Sequence, residues 1–250
     1  MKKVEISTKK TEKICIISSK APKPIINKLE SFGYLVKLLP ILPGLNSKEG
    51  HHADMQLCRI SDMEIVYAPG VPKEILEAIE KRNYTLIKGN TVLKSEYPFN
   101  IAYNVLTLDK IFFHNTKYTD STLLKIFTDR GKLSGVVKQG YAACSSLALS
   151  KSNGEPLVLT GDGGIVKNCE RNKIETIFCK GVENIRLRGY NHGFVGGSMG
   201  KDGDMLYTCG NIESTFSNGK EIMKRLKSEG INVINLWGGR LRDVGGILIL

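Results

Sequence analysis

The chain has 250 residues, 41% of them hydrophobic, which suffices for a substantial core in one large or two small units and excludes a chain too polar to fold. Its formal net charge of +11 and pI near 9.3 favour an anionic partner, yet the lysines are dispersed, clustering only at Lys2 to Lys13 and Lys220 to Lys227 with no nucleic-acid motif beside them. No apolar run approaches the ~20 residues of a membrane span, Met1 to Thr11 is too polar for a signal peptide, and six cysteines without paired spacing fit a reducing, cytoplasmic setting.

Lys13 to Ser18 reads as a strand, and Ile25, Ile26, Leu29 and Phe32 recur at helical spacing before Gly33. Tyr34 to Leu39 is a second strand. A Pro-rich loop then leads through Gly50-His51-His52-Ala53-Asp54 into a third strand ending near Cys58. The pattern restarts with the strand Glu64 to Ala68, a Pro-Gly-Val-Pro turn, the helical stripe Ile75, Leu76 and Ile79, and the strand Thr85 to Lys88. A bend at Pro98 to Asn100 leads to Asn104-Val105-Leu106.

A third unit runs from Lys110 to His114 through a helix over Ser121 to Thr128, capped by Asp120, to a Val136-Val137 strand. The fourth opens with Pro156 to Thr160, continues through a helix near Gly164 to Arg171 and the strand Thr176 to Cys179, and bends at Gly189 to Gly193. Gly161-Asp162-Gly163-Gly164 lacks the Lys-Ser/Thr of a phosphate loop and reads as a turn with helix entry. The fifth has a strand at Asp204 to Cys209, a helix from about Asn218 to Ser228, a strand at Ile231 to Leu236 and a last apolar strand, Val244 to Leu250.

Ile16, Val66, Phe112, Leu159 and Tyr207 take equivalent places at intervals of about 46 to 50 residues, a steady period for a βαβ-sized unit. Unit starts fall near residues 13, 64, 110, 156 and 204 of one domain over residues 1–250. The first and last strands lack sequence neighbours to pair with, so the economical arrangement is a ring closed between them. The alternative is an ordinary α/β sheet with accidental spacing.

Chemistry concentrates at the bends. Val137 to Leu149 delivers Cys144 after the small residues Gly140 to Ala143, at the start of an apolar strand pattern where a thiol can face a cavity. Asp54 overlays Cys144 when the glycines of the two bends are matched. Asn100 to Leu106, His192 to Ser198 and Arg242 to Ile247 are three further copies. Cys144 is either a nucleophile or a small core residue like Cys15, Cys58, Cys179 and Cys209. His51 and His52 are either functional or exposed loop residues, Asp54 alternatively caps a bend, and His114, ending an apolar strand, reads as structural. A metal cluster of His51, His52, His192 and Asp54 has no diagnostic spacing, and the reading is of no metal and no cofactor.

Lys-Gln-Gly-Tyr-Ala-Ala-Cys-Ser at 138–145 and Gly-Tyr-Asn-His-Gly-Phe-Val-Gly-Gly at 189–197 mark a resemblance that covers nearly the whole chain. The sequence resembles the pentein superfamily of guanidino-group modifying enzymes, and most resembles an uncharacterised bacterial branch of it. The resemblance implies an α/β pentein fold, a five-fold pseudosymmetric ββαβ propeller closed by pairing of the N- and C-terminal strands. It also implies a cysteine hydrolase or amidinotransferase-like enzyme acting on a small guanidino or amidino substrate. His52-Ala53-Asp54 matches the family's His-x-Asp, in which histidine moves protons and aspartate grips the guanidinium. Cys144, two units further round, matches the nucleophile, although the familiar hydrolases carry theirs in the last unit.

The expected site is therefore Cys144 and His52 as catalytic residues, with Asp54, Asn104, Ser145, Asp243, His192 and Gly197 contacting substrate; His192 is the alternative proton carrier. Because a ribosome anti-association factor shares this fold without catalysis, the alternative function is a pentein that binds a ribosome, RNA or protein through its basic surface.

Overall fold

The computed structural model describes residues 13–250, so the stretch Met1 to Thr11 and all of the Lys2 to Lys13 cluster except Lys13 lie outside the described residues. The chain forms β1 (Ile14–Ser18), α1 (Lys23–Ser31), β2 (Leu35–Leu39), α2 (Ala53–Gln56) and β3 (Leu57–Ser61). β4 (Glu64–Tyr67), α3 (Lys73–Glu80), β5 (Thr85–Lys88) and β6 (Leu106–Thr107) follow, then β7 (Ile111–His114), α4 (Ser121–Asp129), β8 (Leu133–Val136), α5 (Ala142–Ser145) and β9 (Ser146–Ser150). The remainder is β10 (Pro156–Thr160), α6 (Gly163–Arg171), β11 (Glu175–Phe178), β12 (Met199–Asp202), β13 (Met205–Thr208), α7 (Ile212–Thr215), α8 (Gly219–Ser228), β14 (Asn232–Asn235) and β15 (Leu248–Ile249). Among the described residues no helix is long and apolar enough to cross a membrane.

These strands make five three-stranded sheets of one design, β15-β1-β2, β3-β4-β5, β6-β7-β8, β9-β10-β11 and β12-β13-β14. In each, the central strand runs antiparallel to the first and parallel to the third. A parallel partner needs a crossover, and the amphipathic helix between the two strands supplies it. Ile25 and Leu29 of α1, Ile75 and Ile79 of α3, Leu123 and Phe127 of α4, Ile165 and Cys169 of α6, and Ile222 and Leu226 of α8 are the buried stripes. With cover on both faces the central strands become nearly continuous apolar runs; all five residues of β1 are buried.

The first sheet closes the ring. β15 pairs with β1 through Cys15 opposite Ile249 and Ile16 opposite Leu248, as the orphaned first and last apolar runs require. The closing strand is shorter than the apolar run from Val244 suggests. Gly245 and Gly246 adopt φ of +77° and +76°, and the Val244 and Gly246 amides turn inward to the Gly197 carbonyl, so this segment is a bend. Three other boundaries move. β3 extends past Cys58 to Ser61, β8 begins at Leu133, and both Cys144 and Asp54 sit in short helical turns preceding their strands.

Asp120 is the α4 cap and also a hub. One carboxylate oxygen accepts from the Thr122 amide at 2.9 Å, the other from the Asn90 and Thr91 amides at 2.9 and 2.7 Å and from the Tyr103 hydroxyl at 3.2 Å. Burial alone would raise its pKa; these hydrogen bonds outweigh burial and hold it below the usual carboxylate range. Asp120→Asn keeps one acceptor and replaces the other with a donor facing donors. A loss of about 2 kcal/mol is expected, read as a lower denaturant midpoint with unchanged slope.

Candidate active site

Five bends meet around one centre, and each touches the next. The Asp54 amide donates to the Gly245 carbonyl at 3.1 Å, joining the first bend to the last. Asn104 joins the second to its neighbours: its amide nitrogen donates to the Asp54 carbonyl at 3.0 Å and to Cys144 Sγ at 3.0 Å, while its oxygen accepts from the Ala143 and Cys144 amides at 2.9 and 3.1 Å. The fourth bend lies so close to the third that a Cβ at Gly196 would stand 2.1 Å from the Ala143 carbonyl oxygen. The Gly197 carbonyl accepts from both Val244 and Gly246, 2.8 Å each, and completes the circle.

Cys144 is buried at this junction, and the other five cysteines are buried too. Its pKa is raised well above that of a free thiol, first by burial, then by the negative fields of Asp54 and Asp243, with the Asn104 hydrogen bond opposing. The empty site therefore holds a thiol, not a thiolate. His52 is 2% exposed, and its Nε2 has no hydrogen-bond partner. Burial lowers its pKa to about 4, so the imidazole is neutral across the physiological range. His51, whose ring centroid is 4.9 Å from that of His52, bonds the Ser18 hydroxyl through Nδ1 at 2.7 Å and is lowered to about 4 by burial and by the charges of His52 and Lys20. Neither histidine is the exposed loop residue that the sequence allows.

Two carboxyls are buried beside them. Asp243 accepts from the Phe194 and Gly245 amides at 2.8 and 2.9 Å, and burial still raises its pKa to about 6. The buried oxygens of Asp54 have the Cys144 thiol as their polar neighbour; burial and then the Asp243 charge raise the Asp54 pKa to about 7, with the hydrogen bond from Cys144 opposing. A buried carboxyl with so few polar neighbours is costly to ionise.

His52, Cys144, His192 and Asp243 border one cavity of about 280 Å³ together with Glu49. Tyr141, Tyr190 and Phe194 form its aromatic wall. Asp54 instead borders a second cavity of about 1590 Å³, as do Ala143, Gly196 and Gly245. Asn104 borders neither and hydrogen-bonds the Cys144 sulfur and amide. Ser145 also borders neither, and its buried hydroxyl is unpartnered. Gly197 supports the site from beneath: a Cβ there would lie 2.2 Å from Asp243 Oδ1. His114 bonds Thr119 and the Gly140 carbonyl at 2.6 and 2.9 Å, a buried structural histidine. Among the described residues no three His, Cys, Asp or Glu side chains group as metal ligands.

Sequence reasoning missed Glu49 and the aromatic wall. Tyr141, Tyr190 and Phe194 all lie inside the two marked motifs, and Glu49 immediately precedes the first bend, so proximity to a bend was the available signal.

No curated protein matches the chain by sequence. Among solved structures it is similar to DDAH from Pseudomonas aeruginosa, a cysteine-to-serine mutant complexed with citrulline, at 12% identity and TM-score 0.51 over 95% of this chain and 98% of that one. It is likewise similar to a dimethylarginine dimethylaminohydrolase adduct with S-methyl-L-thiocitrulline, at 11% identity and TM-score 0.50 over 95% and 99%. An amidinotransferase from Microseira wollei in the saxitoxin biosynthetic pathway matches at 12% identity and TM-score 0.48 over 94% and 93%. The five like sheets and the two structures at TM-scores of 0.51 and 0.50 give the chain the pentein fold. Matching over residues 16–248, it belongs to the family described as a family of unknown function (DUF6873).

Proposed function

We propose that the protein is a cysteine-dependent enzyme that hydrolyses or transfers the amidino carbon of a small guanidino or amidino compound. The observation that carries this reading is the shared cavity: a thiol, a neutral imidazole with a free nitrogen and a buried carboxyl border it, and a second carboxyl lies close enough to act on the thiol. Each answers a need of the chemistry. A planar cation is held by carboxylates, a thiolate attacks its central carbon, and a base carries the protons.

The substrate cation itself solves the problem of the reluctant thiol. Its charge offsets the fields of Asp54 and Asp243, so Cys144 can pass its proton to His52 once the site is filled. The thiolate then forms a C–S bond to the guanidinium carbon. The C–N bond breaks as the amine departs with the proton from His52, leaving a thiouronium on Cys144. Water, deprotonated by His52, adds to that carbon; the C–S bond breaks, the urea-type product leaves and the thiol is restored. An amine in place of water makes the same sequence a transfer.

A cationic alkylating agent tests this directly. 2-Chloroacetamidine is expected to label Cys144 at least about tenfold faster than it labels any other cysteine, and faster than neutral 2-chloroacetamide labels Cys144. Peptide mapping reads the result. Equal labelling of all six cysteines, or no preference for the cation, would reject the proposal.

A further inference from the structure

The charge inventory of the smaller cavity is one-sided. Glu49, Asp243 and His192 border it, His52 is uncharged, and no lysine or arginine lines it. Glu49 is only 8% exposed. Asn46 and Asn100 donate to its Oε1 at 2.8 and 3.2 Å. Lys48 is exposed, with Nζ 5.0 Å from the ring centroid of Tyr190 in the aromatic wall. The negative charge of Glu49 is felt at Asp54, and among the lining residues only the His192 imidazole opposes the carboxyls, at Asp243.

A ligand carboxylate in this space would meet two like-charged carboxyls and no lining lysine or arginine to pair with, which costs more than water does. A second positive charge would meet Glu49 and the faces of the aromatic wall, where Tyr141 and Phe194 stand 5.8 Å apart. At about 280 Å³ the cavity lies at the small end of ligand sites. Resting on the guanidino reading above, we infer that the substrate is a short dication, a guanidinium at one end and an amine at the other with no carboxylate, and that Glu49 selects the amine.

Three probes decide it, each competing with 2-chloroacetamidine for Cys144: 4-aminobutylguanidine, butylguanidine and arginine. The expected order of protection is 4-aminobutylguanidine first, by about tenfold over butylguanidine, with arginine weakest, because a buried charge-assisted hydrogen bond is worth at least that factor. Glu49→Gln keeps an oxygen for Asn46 and Asn100 and is expected to bring the ratio between the first two probes close to one. Arginine protecting as well as 4-aminobutylguanidine overturns this inference in the wild-type protein alone and leaves the guanidino reading standing. So does a dication preference that survives Glu49→Gln. If none of the three protects Cys144, both the inference and the reading beneath it fall.

Discussion

Gly196→Ala is expected to cost about 3 kcal/mol or more, a fall of about 6–12 °C in Tm for a chain of this length. The added carbon would stand 2.1 Å from the Ala143 oxygen, 2.3 Å from the Ser146 oxygen and 2.9 Å from the Ser146 carbonyl carbon. All three are backbone atoms, so no rotamer change relieves the overlap. Relief requires the fourth bend to draw back from α5 and β9, which carry Cys144 and its sheet. Gly163→Ala is the control, since nothing lies within 4 Å of a carbon added there and its φ is not positive. Thermal unfolding of both variants reads the difference. A Gly196→Ala protein that melts with the wild type would mean that the two bends do not meet as closely as described.

Guanidinium binding should strengthen steeply with pH, by a hundredfold or more on the order of magnitude between pH 5 and 8. Near pH 5 both Asp243, at about 6, and Asp54, at about 7, are largely protonated in the free protein and offer little charge. A cation must displace those protons, so affinity rises with pH until both groups ionise unaided, and it levels off near pH 8. His52, at about 4, stays neutral throughout and does not bend the curve. Protection of Cys144 by butylguanidine at half-unit pH steps measures it, and a flat profile would show that the carboxyls do not receive the cation.

Asp54→Asn separates binding from stability. The folded-state pKa of Asp54 is raised, so its contribution to stability is greatest at low pH and is lost as pH climbs from about 4 through about 7. Replacing it should remove the upper part of the binding profile while raising stability at pH 8 by roughly 2 kcal/mol, about 4–8 °C. Gain in one and loss in the other, in a single variant, is the signature of a group retained for a ligand.

Much of the ring was legible because its signals are local. Buried central strands such as Ile14 to Ser18 read as apolar runs, the α4 and α6 helices carry Asp caps, and the period between Ile16 and Tyr207 follows from repeating one crossover. The helical turns at Ala53–Gln56 and Ala142–Ser145 were not legible: four residues are too few to show a 3.6-residue period, and each runs straight into a strand. β8 was displaced because Leu133 and Ser134 are exposed and Gly135 packs on Phe113, a contact from another part of the sheet. The bend residues Cys144, His52 and Asp243 could be picked from small-residue punctuation. Glu49 offered only its place beside the first bend, since its partners are as distant as Asn100 and the wall it faces comes from other bends.

The seam between β1 and β15 leaves the molecule without a terminal repeat. An open stack of modules can fray from its ends, each module melting nearly independently of those far away. Here every sheet is flanked on both sides, so loosening any junction strips two neighbours of cover at once. Denaturation should consequently be a single sharp event, and harm done at one bend should register at the bend farthest from it.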